Sequence, residues 1–180
     1  LRPTTRSPGG DAFAIWKKAS DLGVPVSCVG TIDQYASSDF EVLIQEFPHL
    51  KIIVEHLRGV GGLLGEGDST PPHNTYRKVL ALSKYPNVYM KVPGLGEIST
   101  PAMPVKTPFP FDDAPPLIEM AIEAFGANRL MWGSDFPPSA GREGYGNALR
   151  LPMQQVGFVS QEDRDWVFGN TAATLWKFGE

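Results

Sequence analysis

An α/β fold built on a parallel sheet is what this sequence predicts, on three observations. Short apolar runs alternate with segments whose apolar residues recur at spacings of three and four, the pattern of parallel strands covered by amphipathic helices. The connections that follow the runs, Arg58 to Pro72, Pro93 to Asp113 and Phe136 onward, are much longer than those before them, Pro48 to Leu50, Pro86 and Gly126 to Asn128. Long loops on one rim build a site there, as barrels do at their C-terminal face. Four apolar runs cannot close an eight-stranded barrel, for which about 250 residues are usual. The expectation is therefore a parallel (β/α) fold of the TIM-barrel type, represented by half of a (β/α)8 barrel. Residues 1–180 are read as one domain, truncated at its N-terminal side. A doubly wound sheet is the alternative, and strand order separates the two.

The elements follow in order. The first helix is read from Asp11 to Leu22, with Ala12, Ile15, Trp16, Ala19 and Leu22 on one buried face and Gly23 as its C-cap. Val24 to Val29 reads as a strand with proline near its start. Ser38-x-x-Glu41 is a capping box for a second helix, whose Phe40, Leu43, Ile44 and Phe47 face inward until Pro48 stops it. Lys51-Ile-Ile-Val-Glu-His56 is the second strand. A third helix places Tyr76, Val79, Leu80 and Ser83 on one face and ends at Pro86, ahead of the third strand, Asn87 to Val92. Pro115 and Pro116 suit the first turn of a fourth helix with Leu117, Ile118, Ala121, Ile122 and Phe125 as its stripe. The fourth strand, Arg129-Leu-Met-Trp-Gly-Ser-Asp135, is closed by Pro137 and Pro138, which cannot extend a ladder. The tail reads as helical in two pieces. Ser160-x-x-Asp163 caps one through Val167, and Asn170 starts another carrying Ala173, Leu175, Trp176 and Phe178.

Composition narrows the function. A net charge of −4 with no basic run provides no electrostatic footprint for nucleic acid or an anionic membrane. No apolar stretch reaches the ~18 residues of a membrane span, and no signal-peptide pattern precedes the first helix. The one cysteine, Cys28, lies inside an apolar run and is read as a small buried hydrophobe, which suits a reducing cytoplasm. Unpaired sheet edges at 24–29 and 129–134 point to self-association, or to a separate N-terminal half-barrel as partner.

The chemistry lies at the strand ends. His56 closes the second strand, Lys91 lies near the end of the third, and Asp135 closes the fourth. In a barrel these ends converge, and a small-molecule substrate is the partner that fits such a pocket. An imidazole binds a metal or takes a proton near neutral pH, and a carboxylate ligates the same metal or deprotonates its water. Each residue also has a structural reading: His56 as a satisfied strand-end histidine, Asp135 as a turn former, Lys91 as a stem covering apolar surface. The functional reading of Lys91 is a cation facing a substrate carboxylate. Arg58, on the same rim, is the second candidate anion holder. Strand alternation directs Glu55 away from His56, toward the helices. Gly59, Gly61 and Gly62 fit no phosphate loop, because no Gly-Lys-Ser/Thr follows. His49 and His73 are expected at the surface.

Four segments carry a resemblance: Phe47-Pro-His-Leu-Lys-Ile-Ile-Val-Glu-His-Leu-Arg-Gly59, Pro86-Asn-Val-Tyr-Met-Lys-Val-Pro-Gly94, Arg129-Leu-Met-Trp-Gly-Ser-Asp-Phe-Pro137 and Asp163-Arg-Asp-Trp-Val-Phe-Gly-Asn-Thr-Ala-Ala-Thr-Leu-Trp176. In this order they resemble the amidohydrolase-related (amidohydrolase 2) family, and in particular its branch of barrel hydrolases that includes 2-pyrone-4,6-dicarboxylate lactonase. The resemblance implies a hydrolase of a small lactone, ester or amide. It assigns Asp135 as general base or metal ligand, places His56 in the active site, and sets Arg58 and Lys91 at the substrate rim. It implies one divalent metal, zinc or manganese, or none. The family's first-strand His-x-His pair has no counterpart here, so the resemblance implies the C-terminal half (strands 5–8) of the barrel; His56 and Asp135 remain as two ligands, and the lactonase-like branch works without metal. Related members remove carboxylate from aromatic acids, so a non-oxidative decarboxylase is one alternative. An inactive half-barrel that needs a separate N-terminal half is the other.

Overall fold

The computed structural model describes residues 11, 13–57, 71–98, 114–155, 157, 160–176 and 178. Arg58 lies outside the described residues, as do the glycines that follow it and most of the proline-rich connection before Ala114. Four strands form one parallel sheet: β1 (Val26–Cys28), β2 (Ile52–Val54), β3 (Val88–Val92) and β4 (Leu130–Trp132). Their order is β1-β2-β3-β4, each pairing with the next in the chain. A doubly wound sheet reverses direction at a switch point. This one does not, and a sequential parallel order is that of a barrel arc.

The two sheet faces differ. Val26, Cys28, Ile52, Val54, Val88, Met90, Val92 and Leu130 point to the helices and form one continuous core with them. Ser27, Ile53, Tyr89, Lys91 and Met131 alternate with these on the other face, in the register Ser27↔Ile53↔Tyr89 and Lys91↔Met131. That concave face is the one that carries polar groups.

Helix α1 (Ala14–Leu22) ends at Gly23, whose φ of 63° is the left-handed cap the sequence suggests. Its expected face is only partly correct. Trp16 is buried, but Ile15 and Leu22 are more than half exposed, and Ala12 lies outside the described residues. A one-turn helix, α2 (Ile32–Tyr35), precedes α3 (Ser38–Glu46). The α3 cap is Ser37 rather than Ser38: extended backbone at Ser37 lets its hydroxyl accept from the Phe40 N–H. Glu41 is thereby released to pair with Lys84 and to accept from the Tyr85 hydroxyl. Phe40, Leu43, Ile44 and Phe47 are buried as the spacing predicts.

Helix α4 (Asn74–Leu80) runs into a tighter turn over Ala81–Lys84. The change of pitch buries Leu82 in place of Ser83. His73, expected at the surface, is buried at the start of α4 with a φ of 55°. Three helical segments fall where the sequence suggested loop: α5 (Leu95–Ile98), then, following α6 (Leu117–Phe125), α7 (Pro138–Gly141) and α8 (Tyr145–Gln155). Trp132 donates its indole N–H to Ala148 O, which ties α8 to β4. The tail forms α9 (Gln161–Asp165), capped by Ser160 and Asp163 as expected, and α10 (Thr171–Leu175), joined by a π-turn over Trp166–Asn170. Its anchor is Thr171, whose hydroxyl donates to Ala127 O, whereas Phe178 is exposed. Among the described residues no helix is long and apolar enough to cross a membrane.

Candidate active site

At the C-terminal ends of the strands lies a pocket of about 350 Å3 lined by Val29, Glu55, His56, Lys91, Pro93, Gly133, Ser134, Asp135 and Phe136. His56, Lys91 and Asp135, singled out from the sequence, thus meet on one rim. Glu55 meets them too. It lies on the face opposite to the one expected: Val54 points to the helices, so Glu55 follows Ile53 onto the concave side, where it pairs with Lys91 at 2.6 Å and accepts from the Ser27 hydroxyl. His56 reaches the same pocket because the strand has already ended. Both His56 (φ 58°) and Leu57 (φ 60°) adopt left-handed backbone, and the Leu57 N–H donates to Lys91 O to hold the turn. Asp135 is left-handed as well, at φ 48°, with its carbonyl accepting from the Ser139 N–H. Such conformations cost about 1–3 kcal/mol each outside glycine and concentrate at sites of function.

Around His56 the side chains form a closed ring. The His56 Nδ1–H donates to Glu97 Oε1 at 2.7 Å, and His56 Nε2 lies 3.7 Å from Asp135 Oδ1. The second oxygen of each carboxylate faces Arg142: Asp135 Oδ2 accepts from Nη2 at 2.9 Å, and Glu97 Oε2 lies 3.2 Å from Nη1. Two carboxylates are thus clamped between an imidazole and a guanidinium. Burial by itself would lower the His56 pKa, but the hydrogen bond to Glu97, aided by the charges of Glu97, Asp135 and Glu55, outweighs it and raises the value above 6.5.

Behind Arg142 sits Glu143, whose side chain is 0 % exposed. Its Oε2 lies 3.4 Å from Arg142 Nε, an ion-pair distance without hydrogen-bond alignment. Burial pushes the Glu143 carboxyl above its ordinary value, against the pull of its own backbone N–H and of Arg142. Glycines make room for it. A Cβ on Gly94 would fall 2.0 Å from Glu143 Oε1, and one on Gly96 would fall 2.3 Å from Oε2.

One metal-capable cluster is present among the described residues. His56, Glu97 and Asp135 each offer a ligand atom, all within 4.8 Å of one another. An imidazole with two carboxylates makes the three protein ligands of a typical catalytic zinc site, so the donor set fits a divalent cation. Two of the three, His56 and Asp135, are legible in the sequence. Glu97, Arg142 and Glu143 are not, because none ends an apolar run. The available signal was the pair of glycines around Leu95 directly before a carboxylate, in a loop that leaves a strand end.

A parallel barrel arc with acid, base and cation gathered at the C-terminal ends of its strands has the layout of a (β/α)-barrel enzyme. The chain belongs to the amidohydrolase family, which matches residues 2–178. It is 31% identical over 144 residues to the uncharacterised protein y4mH of Sinorhizobium fredii, covering 77% of this chain and 43% of that protein. It is 29% identical over 137 residues to an L-fucono-1,5-lactonase of Burkholderia ambifaria, covering 74% and 43% respectively. The chain therefore spans less than half the length of these curated relatives. Among solved structures, an amidohydrolase of Burkholderia multivorans with bound zinc aligns over 97% of this chain and 62% of its own at a TM-score of 0.70 and 18% identity. The 2-pyrone-4,6-dicarboxylic acid hydrolase described for Pseudomonas putida aligns over 92% and 56% at 0.62 and 23% identity. Both alignments show the fold: four strands of a TIM-type barrel.

Proposed function

We propose that this protein is a hydrolase of a small carboxylated lactone or ester. The observation that carries the reading is the ring of His56, Glu97, Asp135 and Arg142 beside the Lys91-lined pocket. The likeness to an L-fucono-1,5-lactonase supports the lactone, and Lys91 in the pocket lining supports the carboxylate.

Asp135 is the general base. Its Oδ2 is held by Arg142, which leaves Oδ1 facing the pocket to take a proton from water. The oxygen of that water attacks the carbonyl carbon. His56, protonated at both ring nitrogens and with its Nδ1–H fixed on Glu97, presents Nε2–H to the developing oxyanion. The ring C–O bond then breaks, and the proton held by Asp135 passes to the leaving oxygen, giving a hydroxy acid. Lys91 uses donors not engaged by Glu55 to hold the substrate carboxylate. A divalent metal, when bound, would be held by His56, Glu97 and Asp135 and would supply Lewis-acid polarisation and an acidified water.

The test is hydrolysis of a panel of aldono- and pyrone-type lactones followed by proton release, with Asp135→Asn beside the wild type. Asparagine keeps the shape and tolerates the left-handed backbone. It removes the base, and a rate loss of about 10²–10⁴-fold is expected. Retained activity in a folded variant would refute the assignment, and release of carbon dioxide from an aromatic acid in place of lactone opening would replace hydrolase by decarboxylase. The outer edges of β1 and β4, which pair with no other strand among the described residues, belong to the same proposal: they favour self-association or an N-terminal half-barrel partner. A monodisperse single-chain mass by light scattering, with full activity, would contradict it.

A further inference from the structure

Arg142 holds Asp135 in the proposed reaction, and its contacts reach beyond that one carboxylate. Its side chain is only 7 % exposed, and all three guanidinium nitrogens face a carboxylate: Nη2 faces Asp135 at 2.9 Å, Nη1 faces Glu97 at 3.2 Å and Nε faces Glu143 at 3.4 Å. Two of those carboxylates belong to the metal-capable cluster; the third does not. Glu143 cannot drift, because it fills a space that the missing side chains of Gly94 and Gly96 leave open. The chain of contact runs from that glycine cradle through Glu143 to Arg142, and from Arg142 forward to Glu97 and Asp135.

We propose that Arg142 is a positioning residue that acts as a resident cation: it sets the orientation of Glu97 and Asp135 toward His56 and opposes the entry of a divalent metal into the same cluster. The physical basis is charge and geometry. A guanidinium is planar and permanently charged, and its fork can grip two carboxylates at once from a fixed seat. Here it takes one oxygen of each, leaving the other oxygen of each turned to His56. A metal held by His56, Glu97 and Asp135 would add two positive charges beside the guanidinium in a partly buried site, where like charges repel more strongly than in water. The inference rests on the assignment of this ring as the active site.

The experiment measures zinc affinity of the full chain by competition with a chromophoric chelator, comparing wild type with Arg142→Met and Arg142→Lys, with circular dichroism as the control for folding. Arg142→Met is expected to bind zinc roughly tenfold or more tightly than wild type, as removal of an adjacent like charge requires. Arg142→Lys, whose single ammonium reaches one carboxylate rather than two, is expected to show a smaller rise. A residue with a merely structural role would weaken or leave unchanged the affinity when lost. Unchanged, weaker or undetectable zinc binding in a folded variant overturns the proposal. If Arg142→Met does not fold, Arg142→Lys decides by the same readings. Because the readout is affinity, a rise without lactone turnover keeps Arg142's role and removes the hydrolase reading, and turnover without a rise does the reverse.

Discussion

Replacing Gly94 by alanine tests the architecture behind the site without any knowledge of the substrate. Gly94 is not at positive φ, so its backbone does not require glycine. Space does. The new Cβ would fall 2.0 Å from Glu143 Oε1 and 3.1 Å from both Cα and Cβ of Ala148. The first contact cannot be tolerated, so the Glu143 side chain must leave its seat. The second asks the α8 backbone to yield by a few tenths of an ångström. Overpacking of this kind costs about 1–3 kcal/mol, and in a chain of this size each kcal/mol lowers Tm by about 2–4 °C. Glu143→Ala alone removes the carboxylate, leaving a small cavity and Arg142 with two partners. In the double variant the added methyl occupies space that the carboxylate has vacated. The two changes should therefore fall short of additivity by about 1 kcal/mol or more, the size seen for residues in direct contact. Urea denaturation of the four proteins, followed by far-ultraviolet circular dichroism, measures the coupling. Additive effects, or a Gly94→Ala variant within about 0.5 kcal/mol of wild type, the usual range for inconsequential substitutions, would refute the cradle.

Three further outcomes follow from particular contacts. Lys91→Met should raise KM for a carboxylated lactone by about tenfold or more, as loss of a charged hydrogen bond implies, and should leave KM for an uncharged lactone unchanged; equal effects on both would remove Lys91 as the anion holder. Cys28 is buried with its thiol pushed up to about 12 from 9.0, so its thiolate fraction falls roughly a thousandfold. Iodoacetamide should label Cys28 only after unfolding, and prompt labelling of the native protein would contradict its burial. Glu143 has a folded-state pKa above its ordinary 4.5, so its contribution to stability is complete below that pH and declines as pH rises through the raised value. Urea midpoints measured from pH 4 to 8 should show the wild type losing ground to Glu143→Gln as pH increases; a constant difference would show that Glu143 does not titrate in the fold.

Much of the path from sequence to site was legible because strand, helix and loop leave local signatures. The inward stripe of α3 and the stripe of α6 were read from spacing, and the Ser160–Asp163 cap from two residue types three positions apart. Errors arose where a decision was not local. Spacing puts Ile15 and Leu22 on the inner face of α1 with Trp16, yet both are more than half exposed, because periodicity marks an apolar stripe and not how much of it a neighbour covers. Alternation counted from His56 puts Glu55 on the helix side, but His56 lies beyond the strand on left-handed backbone, so both residues reach the concave side.

The sequence by itself determined the strand-and-helix alternation, the rim where long loops gather, and three of the polar groups on it, His56, Lys91 and Asp135. These follow from periodicity and from polar residues that end apolar runs, which are properties of neighbours along the chain. Only the tertiary structure decided the sequential order of the strands and brought Glu97, Arg142 and Glu143 into contact with them. Glu97 and Arg142 are 45 residues apart in number, and they meet across a 3.2 Å gap because β3 and β4 pair side by side and deliver their following loops to one place. No local pattern encodes that meeting. It depends on the register of a sheet, on two glycines that leave room for a buried carboxylate, and on left-handed turns at His56 and Asp135 that aim their side chains at one pocket.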